Sequence, residues 1–166
     1  MKKIILLIVM LLLAGCGNEN GFQMETQTTE TTVEQTVELT IPKNHVVEKY
    51  SDLYDVTINS DGSVTYHLTQ AQYDTLLNDV REETENALQV IMKNIPTFTS
   101  IGHDEDFQKI TVETSNDELS FREAASMLTL TAYGKIYNAY AGNPNAVIYI
   151  TYNHDGKELY SCDSSG

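Results

Sequence analysis

The chain has no tryptophan, three prolines, two cysteines and only 10 basic residues against 24 acidic ones. Each shortage excludes something. Proteins that bind nucleic acid draw much of their affinity from Lys and Arg neutralising phosphate charge. A formal net charge of −14 opposes that, and no nucleic-acid partner is expected. With cysteine only at Cys16 and Cys162, no network of internal disulfides is available, so stability must come from the core. Signatures of chemistry are missing as well. There is no metalloprotease helix motif, no phosphate-cradling glycine loop, no paired cysteines and no serine elbow, and no cofactor is expected.

Long apolar runs are also absent, with one exception. Lys2 and Lys3 precede an unbroken apolar stretch from Ile4 to Leu13, which ends at Ala14, Gly15 and Cys16. This is the three-part layout of a secretory signal. The stretch falls short of the roughly 20 residues a spanning helix needs, and polar sequence follows at once, so residues 1–15 are expected to be processed. Leu13-Ala14-Gly15-Cys16 resembles the lipobox of bacterial lipoproteins, in which the cysteine takes a diacylglyceryl thioether. An ordinary signal peptide with a chance cysteine is the alternative, but charge, apolar length and small residues all converge on Cys16. At about 0.8 kcal/mol per buried methylene, two acyl chains anchor a protein stably. The expected location is the extracytoplasmic face of the cell membrane, held there by lipid on Cys16.

Loss of residues 1–15 removes two lysines and no acids, which takes the formal charge from −14 to −16. Anionic headgroups repel such a domain within a Debye length, so it is expected to stand off the bilayer. Residues 16–36, dominated by Thr, Glu, Gln and Asn, cannot bury enough to fold and read as a tether with a reach of roughly 25 Å.

From residue 37 to residue 166 the sequence reads as one folded domain. Val37, Leu39 and Ile41 alternate up to Pro42, an opening edge strand. Residues 43–53 are ambiguous, with a helical turn one option. Val56 and Ile58, the turn Asn59-Ser60-Asp61-Gly62, and Val64, Tyr66 and Leu68 make a β-hairpin. Thr69-Gln70-Ala71-Gln72 matches a capping box, with Leu68 and Tyr73 as its hydrophobic staple. Helical spacing then runs through Leu76, Leu77, Val80, Ala87, Leu88, Ile91 and Ile95 to Pro96. Residues 97–106 read as a loop, and Ile110 and Val112 as a strand. Ser120-Phe121-Arg122-Glu123 is a second capping box. The helix it opens is expected to bury Ala124, Ala125, Leu128, Ala132, Ile136 and Tyr140 before Gly142-Asn143-Pro144 stops it. Val147 to Tyr152 reads as a central strand, and Asp155-Gly156 turns it into a last strand ending at Cys162. The expected class is α+β, with one mostly antiparallel sheet in the order β-ββ-α-β-α-ββ and both helices on one face.

Polar groups that could carry chemistry are scattered. His45, His67, His103 and His154 are isolated, so a zinc site would need ligands gathered across the fold. His103-Asp104-Glu105-Asp106 offers carboxylates a calcium ion could use, but it lacks the alternation of an EF-hand, and a solvated acidic loop is the reading its spacing favours. Cys162 reads as a small buried side chain. Tyr133, Tyr137 and Tyr140 recur at helical spacing and form the one candidate interaction surface, since tyrosine offers a rigid face with a polar tip. Their other reading is core packing over the sheet. Gly134 beside them costs a helix about 1 kcal/mol against alanine, which points to close approach of another group.

Asp61-Gly62-Ser63-Val64-Thr65-Tyr66, Thr69-Gln70-Ala71-Gln72 and Tyr133-Gly134-Lys135-Ile136-Tyr137-Asn138 resemble segments of small lipoproteins from Gram-positive bacteria of the clostridial kind. The resemblance covers most of residues 40–162. It implies secretion and a lipid anchor, and brings no catalytic residues to carry over. The expected function is a non-catalytic binding or interaction domain in the cell envelope, with a wall polymer, peptide or envelope protein as partner. The alternative is an envelope enzyme, such as a metal-dependent hydrolase. That would require several of His45, His67, His103, Asp104 and Asp106 to converge.

Overall fold

A computed structural model describes residues 35–165. The expected signal segment, Cys16 and the expected tether up to residue 34 lie outside the described residues. Seven strands and three helices follow in the order β1 (Thr36–Ile41), a 3-10 turn (Lys43–His45), α1 (Glu48–Ser51), β2 (Val56–Ile58), β3 (Val64–Thr69), α2 (Gln70–Asn94), β4 (Phe98–His103), β5 (Lys109–Thr114), α3 (Phe121–Tyr140), β6 (Tyr149–His154) and β7 (Lys157–Asp163). The class is α+β and most strand pairs are antiparallel, but the single sheet expected from the sequence is two. One has three strands in the order β1-β3-β2, the other four in the order β4-β5-β6-β7.

The hairpin of β2 and β3 closes where the turn chemistry places it. Gly62 takes a φ of +83°, which a side chain resists, and Asp61 caps the turn by accepting hydrogen bonds from the Ser63 amide (2.9 Å) and hydroxyl (2.7 Å). In β3, Val64, Tyr66 and Leu68 point inward and are buried, the period of two expected of a half-buried strand. In the second sheet β6 is central, parallel to β5 and antiparallel to β7. A parallel pair needs a long crossover, and α3 provides it.

Residues 98–103 are an edge strand and not part of a loop. Their alternation is weak because only Phe98 is buried, and the register slips between Phe98 and Ser100. Both capping boxes form. The Thr69 and Ser120 side chains accept from the backbones of Gln72 and Glu123, whose own side chains return to the cap backbones. On α2 the inward line is Leu76, Val80, Thr84 and Leu88.

On α3 the expected inward face holds at Ile136 and Tyr140, which pack in the core, and fails at the four positions before them. The helix buries Glu123, Ser126, Leu130, Gly134, Tyr137, Asn138, Ala139 and Tyr140. Ala124, Ala125, Leu128 and Ala132 are exposed. A hydropathy pattern selects the apolar side of a helix. Here the sheet is met by polar groups that find partners, and the apolar stripe is left outside.

Candidate functional site

Glu123 explains the rotation of α3. Its carboxylate is fully buried and receives four donors: Thr97 Oγ1 (2.8 Å) and Thr114 Oγ1 (2.5 Å) on one oxygen, Asn116 Nδ2 (2.9 Å) and the Ser120 amide (2.8 Å) on the other. Burial pushes its pKa up, but the bonds from Ser120, Thr114 and Asn116 outweigh burial and hold it at about 2. The charge also sits in the first turn of α3, where the helix dipole favours an anion. Tyr152 extends the contact, donating to the Glu123 carbonyl (3.2 Å) and bonding the Ser126 hydroxyl (3.0 Å). These bonds turn the Glu123-Ser126-Leu130 side of the helix to the sheet.

Two of the three candidate surface tyrosines are consequently core. Tyr140 is buried edge-on against Tyr50 and Tyr66, with ring centroids 5.5 and 5.9 Å away. Its hydroxyl accepts from the Val47 amide (3.1 Å) and bonds Tyr66 (3.2 Å). Burial and the Tyr66 bond raise its pKa above the ordinary tyrosine range, and Tyr50, which donates to Glu83 (3.0 Å), is pushed up to about 12, chiefly by burial. Tyr137 packs 4.7 Å from the Phe107 ring and accepts from Arg81 Nη2 (2.5 Å). As an interaction surface Tyr137 and Tyr140 are unavailable. Tyr133 alone is half-exposed.

The acidic loop is likewise built for structure. Phe107 holds a φ of +52°, uncommon for a bulky residue, because its ring is buried between His103 (4.0 Å) and Tyr137. Asp104 accepts from the amides of Gln108 (2.8 Å) and Lys109 (3.1 Å). A Cβ on Gly134 would lie 2.9 Å from the Phe107 carbonyl oxygen and 3.0 Å from Ile148 Cγ2, the close approach expected from the glycine.

Of the groups whose convergence would make a hydrolase, His103, Asp104 and Asp106 follow one another at the end of β4, while His45 and His67 lie on other elements. His45 ends the 3-10 turn, with Nδ1 buried and without a partner among the described residues; burial first and the Lys135 charge second lower its pKa. His67 on β3 bonds Thr57 (2.9 Å) and lies 3.6 Å from Glu38. His103 bonds the Asp104 carbonyl (2.8 Å), and His154 bonds the Thr114 carbonyl (3.0 Å). Among the described residues no three His, Cys, Asp or Glu side chains are arranged to hold a metal ion. Cys162 is free and half-buried against Met127, and burial raises its pKa.

What remains is the outward side of the two long helices. Phe121 is 91 % exposed and Leu128 73 % exposed. With Ala125 and Ala132 they follow the i, i+4, i+7, i+11 spacing of one helical stripe. Alongside lies an open groove of about 500 Å³ between α2 and α3. Ala87, Val90 and Ile91 line it from one helix, and Ala125, Thr129 and Tyr133 from the other, with Arg122 at its margin. From Ala124 to Gly134 on α3, and from Ala87 to Met92 on α2, there is no Asp, Glu, Lys, Arg or His. An apolar face, charged only at its Arg122 margin, on so acidic a chain is the feature that sequence reasoning missed. Its signal was the apolar stripe itself, assigned to the wrong side. Comparison with family models, with curated proteins and with solved structures gave no match.

Proposed function

We propose that this chain is a lipid-anchored, non-catalytic binding module displayed in the cell envelope, and that it binds through the outward face of α2 and α3. The observation that carries the reading is the stripe Phe121, Ala125, Leu128 and Ala132, exposed on a helix that already buries its opposite side. Contiguous exposed apolar surface marks interaction sites more often than isolated apolar residues do, and Phe121 alone offers on the order of 200 Å². The groove beside the stripe gives such a surface relief, and Tyr133 at its edge supplies an aromatic of the kind enriched at binding hot spots.

The anchor on Cys16 and the polar tether fit the same role, since they would hold the head off the membrane and leave the helix face free. No helix among the described residues is long and apolar enough to cross a membrane, so attachment in this reading falls to the lipid.

Affinity capture tests it, with the full chain as bait against the native envelope and the Phe121→Asp/Leu128→Asp variant as its pair. The reading predicts components retained by the first and lost with the second. Equal retention by both baits would contradict it.

A further inference from the structure

We infer that His45 is an acid-sensitive latch: protonation of its ring loosens residues 43–53 from α3 and uncovers the tyrosine rings beneath them. Among the described residues His45 Nδ1 is the one buried side-chain nitrogen or oxygen with no hydrogen-bond partner. A buried polar atom left unpaired is uncommon, and this one belongs to the side chain type whose charge changes nearest neutral pH. The other ring nitrogen, Nε2, meets only the Asn44 side-chain amide, at 3.4 Å. An imidazolium donates at both nitrogens. While the segment stays closed one of those N–H groups faces no acceptor, so the proton adds a charge to a group that is already unsatisfied.

The segment can part from the rest without breaking a sheet. Its backbone bonds are internal, from the amides of His45, Tyr50 and Leu53 to the carbonyls of Pro42, Val47 and Tyr50. Tyr50 is the one residue of the 3-10 turn and α1 that is buried. Side chains provide the hold: the Val47 amide donates to the Tyr140 hydroxyl (3.1 Å), Ser51 bonds the Tyr66 hydroxyl (3.2 Å), and Tyr50 packs on Tyr140 and donates to Glu83. Segments held by so few buried groups open ahead of the whole fold. The charges around the ring do not favour the proton. From α3, Lys135 opposes it. Its own turn brings Lys43, and the hairpin loop that meets Lys43 at Gly62 brings Asp61, whose carboxylate is taken by Ser63. On α1, Lys49 pairs with Glu83 of α2 and Glu48 is exposed, while Asp79 of α2 acts on Tyr50. No carboxylate among the described residues pairs with the His45 ring. The ring therefore takes its proton more readily once the segment has opened, and acid favours the open form.

The test is amide hydrogen exchange, followed by NMR on the full chain in micelles. The protection of Val47 is compared with that of the β5 amides at about pH 7.5 and about pH 5.5, both above the range in which Glu123 takes a proton. Val47 should be protected, but less than β5, at the higher pH, which marks a local opening. Its protection, taken against the intrinsic rate at each pH, should fall at least about threefold on acidification. His45→Asn and His45→Gln cannot take the proton, and each should lose that response. A Val47 amide unprotected at the higher pH, or protected as well as β5, overturns the latch. So does a parent chain without the acid response, or a response that both variants keep in full.

Discussion

Leu128 and Leu130 stand two positions apart on α3 and face opposite ways, Leu130 fully buried in the core and Leu128 73 % exposed. A helix that is apolar on both sides is ordinarily surrounded by protein. Here one side is covered by the chain's own sheet and the other is bare. The pair gives the first prediction. Leu130→Ala should destabilise the fold by about 3 kcal/mol, as cavity-forming leucine deletions do, while Leu128→Ala should stay within about 0.5 kcal/mol of the parent. Denaturant titration of the two variants measures both.

Tyr140 and Tyr137 should behave as core. Tyr140→Phe keeps the ring but leaves the Val47 amide without its acceptor, an expected loss of about 1–2 kcal/mol, and Tyr137→Ala should lose about 3 kcal/mol. Thermal melts that leave both unchanged would return these tyrosines to the surface.

Gly134→Ala should destabilise although alanine is the better helix former by about 1 kcal/mol. The new methyl meets the Phe107 carbonyl and Ile148, and overpacking of this kind costs about 1–3 kcal/mol. Thr129→Ala, at an exposed α3 site, should instead be neutral or slightly stabilising, which separates crowding from propensity.

Acid should weaken the fold in two stages. His45 has a folded pKa below its ordinary 6.5, so its contribution is present above that pH and fades as pH falls below it. Glu123 has a folded pKa of about 2 against an ordinary 4.5. Its contribution is complete above about pH 4.5 and lost on the way down to about 2, an expected difference on the order of 3 kcal/mol. Unfolding midpoints between pH 8 and pH 3 measure the profile. Glu123→Gln should flatten the lower stage, and a parent profile flat below pH 4.5 would refute the role assigned to this carboxylate.

The division between what could and could not be read from the sequence follows from where polar atoms are satisfied. Helix starts were legible because Thr69 with Gln72 and Ser120 with Glu123 announce their own hydrogen bonds. The hairpins were legible because Asp61-Gly62 and Asp155-Gly156 carry turn chemistry, the first between alternating residues and the second after the β-rich apolar run Val147 to Tyr152. The strand at 98–103 was hidden because an edge strand with a bulge buries little. The division into two sheets depends on long-range pairing, which local periodicity does not record. The facing of α3 was misread because Glu123, Ser126 and Asn138 are polar by composition yet pass inward through bonds to Thr97, Thr114, Tyr152 and Gln108. No such bond is visible in a hydropathy pattern. The candidate face inherits that error in reverse, its apolar residues having been counted as core.

Cys16→Ala should abolish membrane retention or leave the precursor unprocessed, as read by fractionation and by the mass of the chain. A cleaved variant that still sediments with membranes would show that another element anchors it.

The most direct test of the central claim is photo-cross-linking in intact cells, with a photoreactive side chain at position 128 and, as reference, at position 58. Ile58 is equally bare at 75 % exposure but lies on β2, an edge strand of the three-stranded sheet. The helix face as binding surface predicts a discrete covalent adduct from position 128 that position 58 does not give. No adduct at position 128, or the same adducts from both positions, would contradict it.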